Sequence, residues 1–134
     1  MDYQTITTSN LDYFYEHFYK CCDSVIRNIN ITYDRNAHIT LTIEVQDSTI
    51  KINNQTGWSM ISVKLTDVVN MRLIEGNGAY SVISDGLFFK KVEGDLWGIG
   101  FLYPAEDAKT LKDFTRLPSY FICKNIEWVK LRTL

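Results

Sequence analysis

ITLTIEV, residues 39 to 45, decides the fold of this chain. Its four apolar residues alternate with polar ones, which is the period of a strand with one buried face. Residues 25 to 33 alternate in the same way, and Asp34-Arg35-Asn36-Ala37 separates the two runs. Two alternating runs joined by a short polar segment predict a pair of antiparallel strands.

The same period continues along most of the chain, interrupted by short polar or glycine-containing segments. It predicts further strands at residues 50 to 52, 58 to 65, 70 to 75, 80 to 84, 87 to 92, 96 to 103 and 120 to 131. Closely spaced strands with short turns are typical of an antiparallel meander.

Two stretches depart from the strand period. The first has apolar residues at helical spacing, namely Leu11, Phe14, Tyr15, Phe18 and Cys22. It predicts an amphipathic helix over residues 10 to 21, with Ser9 and Asp12 as a capping box. Residues 104 to 114 predict a short second helix, because a proline and two acids come early and two lysines come late. We therefore expect an α+β fold that is mostly antiparallel β, a sandwich or a half-barrel, with the N-terminal helix packed at one end.

Length and composition limit the class of protein. The 134 residues fit one domain, residues 1 to 134, and the net charge of −2 disfavours direct binding of nucleic acid. The N-terminal segment lacks the basic and apolar regions of a signal peptide, and no apolar run is long enough to span a bilayer. Three cysteines cannot form a complete disulfide framework. We expect a soluble, cytoplasmic protein with free thiols.

The adjacent Cys21 and Cys22 are the first candidates for a reactive or metal site. His17 precedes Cys21 by one helical turn, but the paired C-x-x-C spacing of a structural zinc site is absent. A position at the end of a helix also disfavours a thiolate, because the helix dipole is negative there. No catalytic motif occurs elsewhere in the sequence. We expect no metal site, no cofactor and no catalytic residues, with both cysteines used in packing.

Charge placement indicates a second kind of site. Residues 75 to 107 contain six acids and two bases, for a net charge of −4, whereas residues 108 to 134 carry +4. An aromatic side chain surrounded by acids is a suitable docking surface for a basic protein. The predicted partner-binding residues are Glu75, Asp85, Glu93, Asp95 and Trp97. Burial of Trp97 in the core fits the alternation of its strand equally well.

Three segments carry a resemblance to a known group of proteins. They are CDSVIRNINI at residues 22 to 31 with the alternating run that follows, SVKLTDVV at residues 62 to 69, and SYFICKNIEW at residues 119 to 128. The chain resembles small bacterial immunity proteins of contact-dependent growth inhibition and polymorphic toxin systems. In that group a histidine often stands where this chain has Cys22.

The resemblance implies a non-enzymatic antitoxin that binds and neutralises a cognate toxin domain, often a nuclease, in the cytosol. The acids named above would then face the basic residues that a nuclease uses to bind phosphates. An alternative is a small-ligand-binding or carboxylate-dependent hydrolytic β-barrel, with Tyr80, Trp97 and Tyr103 in its cavity. A third is an accessory component of a larger assembly, which a large exposed apolar patch would favour.

Overall fold

The structure, a computed structural model, describes residues 2–73, 82–83, 85–101 and 104–134. Two α-helices, α1 (Leu11–Phe18) and α2 (Leu111–Thr115), accompany eight strands in these ranges. The strands are β1 (Gln4–Thr5), β2 (Ser24–Asp34), β3 (Asn36–Ile52), β4 (Gln55–Arg72), β5 (Val82–Ile83), β6 (Phe88–Lys91), β7 (Trp97–Gly100) and β8 (Tyr120–Thr133). The predicted α+β class is confirmed.

All eight strands belong to one antiparallel sheet. Its order is β5-β2-β3-β4-β8-β7-β6, and β1 pairs with the second half of β8. The long strands β3, β4 and β8 form its centre, and register shifts interrupt each of their pairings. Such bulges bend a sheet. In the described residues the strands form a single hydrogen-bonded sheet, as the predicted mostly antiparallel β architecture requires.

The main core lies between one face of this sheet and α1. The four apolar residues at alternating positions of β3, from Ile39 to Val45, are all fully buried there. Phe14 and Phe18 of α1 pack edge-on against Trp128 of β8, with ring centroids 5.5 and 5.1 Å apart. The helix therefore packs on a face of the sheet, which corrects the expectation that it covers one end.

A second, smaller core lies on the opposite face, where α2 packs against β7 and β8. Gly98 and Gly100 of β7 lie under this helix, and a Cβ atom on Gly98 would come within 2.5 Å of the Phe114 ring. The two glycines thus permit the close approach of α2 to β7. In the described residues, α1 therefore covers one face of the sheet and α2 packs on the other.

The helix boundaries differ from the prediction. Asn10 precedes α1 without a capping side chain, and Ser9 instead contacts the Thr7 hydroxyl, so the predicted capping box is wrong. The late helical region is divided into a 3₁₀ turn, Ala105–Asp107, and α2. Thr110 and Asp113 form a reciprocal capping box that starts α2 at Leu111. Residues 104 to 114 therefore contain a 3₁₀ turn and the start of a separate helix, and not the single helix that the sequence predicted.

The segment that joins α1 to β2 is a tight left-handed turn. A 3₁₀ turn, Tyr19–Cys21, follows α1, and its three residues and Asp23 all have φ between 52° and 58°. Left-handed backbone is unfavourable for residues with a Cβ atom, and the surrounding contacts must compensate for it. The Lys20 carbonyl accepts a 2.7 Å hydrogen bond from the Leu87 amide, which fixes the turn against β6. The cysteine pair is therefore part of a structural hinge.

Candidate functional site

The structure brings only part of the predicted acidic surface together. Glu93 and Asp95 lie in the turn between β6 and β7, where both are exposed. Asp85 lies before β6, whose four residues span about 13 Å, so this carboxylate is at the opposite end of the strand. Glu75 lies outside the described residues. The acidic site that can be built from the described residues is thus the Glu93/Asp95 turn, with Asp85 apart from it.

Trp97 belongs to the core. Only 3% of its surface is exposed, and it packs with Ile99 and Phe101 in the main core. The Lys91 ammonium lies 5.1 Å from the centre of its ring and also donates to the Asp95 carbonyl oxygen at 3.4 Å. Lys91 thereby covers the face of the Trp97 ring and contacts the backbone of the acidic turn. We therefore leave Trp97 out of the partner-binding surface.

A buried polar cluster that the sequence analysis missed lies where β3, β4 and β8 meet α1. Its centre is the Asp47 carboxylate, which is fully buried. One oxygen, Oδ1, accepts from the Thr49 amide at 2.9 Å and the Thr49 hydroxyl at 2.6 Å. The other, Oδ2, accepts from the Ser59 hydroxyl at 2.7 Å and lies 3.0 Å from the Lys130 ammonium. We call these residues, with His17, the Asp47 cluster.

Local backbone geometry creates this cluster. Asp47 pairs with Gly57 and Lys51 pairs with Thr56, so residues 48 to 50 bulge out of β3. The bulge turns the Thr49 amide back toward the Asp47 carboxylate. The Ile50 side chain occupies the space that a Cβ atom on Gly57 would need. A glycine is therefore required opposite the bulge.

The electrostatics of Asp47 reflect two opposing effects. Burial raises the pKa of its carboxyl group, but the hydrogen bonds from Thr49, Ser59 and Lys130 together outweigh burial and hold the pKa well below its usual range. The carboxylate is consequently ionised, with donors at both oxygens. A carboxylate occupied in this way stabilises the fold and is unavailable as a general base.

His17 links α1 to the cluster. Its Nε2 atom lies 3.1 Å from Asp47 Oδ1 without the alignment of a hydrogen bond, and its ring stacks on Phe18 at 4.1 Å. The Ser59 hydroxyl donates to Asp47 and not to His17. A serine nucleophile needs its own contact with the histidine, so the three residues do not form a Ser-His-Asp triad.

The cysteines are placed unfavourably for reactivity. Cys21 and Cys123 are fully buried, and burial is the main cause that raises the pKa of the Cys123 thiol to about 12 and that of Cys21 further still. Burial also raises the pKa of the half-buried Cys22. The 3₁₀ turn carries Cys21 past the end of α1. In the described ranges, no group of three potential metal ligands comes together.

The sequence pattern contains one indication of the Asp47 cluster, namely polar residues at inward-facing positions of the strands. Asp47 continues the inward-facing positions of β3 after Val45, and Ser59 occupies the same phase as Ile61 in β4. Lys130 lies two residues after the buried Trp128 in β8. Polar residues at core positions of adjacent strands indicate a buried polar network. Strand pairing had to be known before the three could be combined.

Comparisons with known proteins give no assignment. No family model, no curated protein and no solved structure matches the chain. In the part of the chain that the structure describes, no helix has the length and apolar character needed to cross a membrane. What the structure defines is the class: an α+β protein built on one antiparallel sheet. Tyr80 and Tyr103, which the alternative function places in a ligand-binding cavity, lie outside the described residues.

Proposed function

We propose that this protein is a non-enzymatic immunity protein, of the kind that accompanies contact-dependent growth inhibition and polymorphic toxins. It binds a cognate toxin domain, a nuclease, in the cytosol and occludes the toxin's active or substrate-binding surface. The proposal rests on the resemblance of three sequence segments and on the contrast between buried reactive groups and exposed acids.

The single observation that carries the proposal is the exposure of the two acids in the β6–β7 turn. Glu93 and Asp95 are exposed, and neither carboxylate makes a hydrogen bond or ion pair with a described residue. The Asp47 carboxylate and the Ser59 hydroxyl are, by contrast, buried and hydrogen-bonded to each other. Free carboxylates at a turn can pair with the cations that a nuclease presents to phosphates.

The location of the resemblance supports a scaffold with a variable surface. Two of the resembling segments lie in β4 and β8, which pair directly through Leu65 with Ile126 and Val68 with Cys123. All four of these side chains are buried. The resemblance therefore falls on the centre of the sheet, while the exposed β6–β7 turn lies outside it. Binding proteins with different partners are expected to share the scaffold and differ at the contact surface.

The test is a pull-down with the toxin domain encoded immediately upstream of this chain. Purified tagged protein should retain that domain from a co-expression lysate, with the domain carrying an inactivating active-site substitution so that cells survive. An unrelated nuclease domain of similar basic charge serves as the control partner. Failure to retain the upstream domain, with both proteins soluble and folded, would contradict the proposed function.

A further inference from the structure

A groove between the two helices is not explained by the proposed function. Leu11 and Tyr15 of α1 form one wall, Phe88 of β6 forms the floor, and Ala108 and Phe114 form the other wall. Its volume is about 230 Å³. Tyr15 and Phe88 are half-buried, so parts of their rings remain accessible in the groove.

One lysine lies beside these rings and two more line the groove. The Lys20 ammonium lies 5.3 Å from the centre of the Tyr15 ring and 5.9 Å from that of Phe88. Lys90 and Lys109 are exposed members of the groove lining, and Glu106 is its one acidic member. The lining thus carries two positive charges and one negative charge, a net charge of +1, and the Lys20 ammonium beside the rings adds a further positive charge.

The chemistry of the groove selects a ligand class. Aromatic walls favour a flat ring, through stacking and edge contacts. Ammonium groups at the rim favour a carboxylate, because charge-assisted hydrogen bonds are stronger than neutral ones. The volume is below the roughly 300 to 1,000 Å³ of sites for drug-sized molecules, which limits the ligand to one or two rings. We infer that the groove binds a small aromatic carboxylate, with its ring against Tyr15 and Phe88 and its carboxylate toward Lys90 and Lys109.

This site is separate from the Glu93/Asp95 turn in both position and charge. The turn follows β6 and presents acids, whereas the groove lies beside β6 and presents bases. A toxin domain could bind at the turn whether or not the groove is occupied. The inference therefore does not depend on the proposed function, and each can fail without the other.

The test is an NMR titration of the full-length ¹⁵N-labelled protein with 2-naphthoate. Saturable shifts are expected at the amides of Tyr15, Phe88 and Phe114. The uncharged analogue 2-naphthylmethanol should bind more weakly. Lys90→Glu and Lys109→Glu should each weaken naphthoate binding by about fivefold, as expected for loss and reversal of one partly exposed charge. The matched control is Lys124→Glu, since Lys124 is exposed on β8 outside the groove and its reversal should leave the affinity unchanged.

Three results of the naphthoate titration would overturn the inference. They are shifts that do not saturate, saturable shifts that map away from α1, β6 and α2, and equal affinity for the charged and uncharged naphthalenes. Shifts at the groove that depend on protein concentration without naphthoate would assign it to a second copy of the chain, which also overturns the inference. Lys109→Gln provides a milder variant if Lys109→Glu alters the reference spectrum, and it should still weaken binding.

Discussion

Two hydrogen bonds connect the Tyr15 hydroxyl of α1 to the backbone of Phe89 in the edge strand β6. The Tyr15 hydroxyl accepts a 2.8 Å hydrogen bond from the Phe89 amide and donates to the Phe89 carbonyl oxygen at 3.3 Å. β6 is the last strand of the described sheet on this side, and an unpaired strand edge is prone to pair with other chains. One phenol on α1 thus satisfies the backbone groups that a neighbouring strand would otherwise occupy. Burial is the main cause that raises the pKa of Tyr15 to about 12.

Tyr15→Phe removes both hydrogen bonds and leaves the ring in place. We expect the free energy of unfolding to fall by about 1 to 3 kcal/mol, because a buried amide and carbonyl lose their partner. The amide of Phe89 should also exchange faster with solvent. Tyr13→Phe is the control, since the Tyr13 side chain is exposed and makes no hydrogen bond with a described residue. Equal stability of the two variants in urea would contradict the edge-capping role.

Asp47→Asn tests the buried cluster. The substitution keeps the shape of the side chain, removes its charge and leaves donors without matched acceptors, so we expect a loss of about 2 to 4 kcal/mol in the free energy of unfolding. The exposed Asp34→Asn should change stability by less than about 0.5 kcal/mol. Urea denaturation of both variants measures the difference. A small effect at Asp47 would mean that the cluster is dispensable for the fold.

The same carboxylate predicts a pH dependence. Because the pKa of Asp47 is lowered in the folded protein, its contribution is fully present above its ordinary value of 3.8 and is lost as the pH falls through the folded pKa. Stability of the unaltered protein should therefore decline more steeply below about pH 4 than that of Asp47→Asn. Glu44 and Asp113, whose pKa values are also lowered, are common to both proteins and cancel in the comparison. If the free energy of unfolding of the two proteins fell equally at acidic pH, the assignment of this pH dependence to Asp47 would be contradicted.

Gly98→Ala tests the packing of α2 on β7. The new methyl group would press on the Phe114 ring, so we expect a loss of about 1 to 3 kcal/mol. Phe114→Leu, combined with Gly98→Ala, should recover part of this loss because it removes the ring that obstructs the methyl group. Strictly additive effects in thermal unfolding would show that the two residues do not interact.

The strands were more predictable than the site for a physical reason. When only one face of a strand is buried, apolar and polar residues alternate in its sequence, and β3 follows this alternation closely. The predicted strands at residues 58 to 65 and 70 to 75 proved to lie largely in one long strand, β4, which runs through Asp67 at φ 55°. A non-glycine residue with positive φ leaves little trace in the pattern of apolar residues.

The Asp47 cluster could not be assembled from the sequence, because its members are separated by up to 113 positions, from His17 to Lys130. Distance along the sequence was also a poor guide to which of the predicted acids lie together on one surface. Residues close in sequence, Asp85 and Glu93, are held apart by an extended strand. Trp97 could be assigned to the core only when its partners in β8, near Cys123, were known.

The Glu93→Lys/Asp95→Lys double variant tests the location of the proposed surface. Reversal of two exposed charges should weaken binding of the upstream-encoded toxin domain at least tenfold, mainly through slower association at low salt. The matched control is Asp2→Lys/Asp34→Lys, which makes the same change of charge at exposed positions elsewhere. Surface plasmon resonance at two salt concentrations measures both rates. Identical rates for the two double variants would reject the turn as the contact surface and leave the function itself open.

The most direct test of the central claim is inhibition of the toxin by this protein. The purified, active toxin domain encoded upstream should lose its nuclease activity on addition of one equivalent of the folded chain, and the chain alone should cleave no nucleic acid. Full toxin activity in the presence of excess folded chain, at concentrations where both proteins are soluble, would contradict the proposed function.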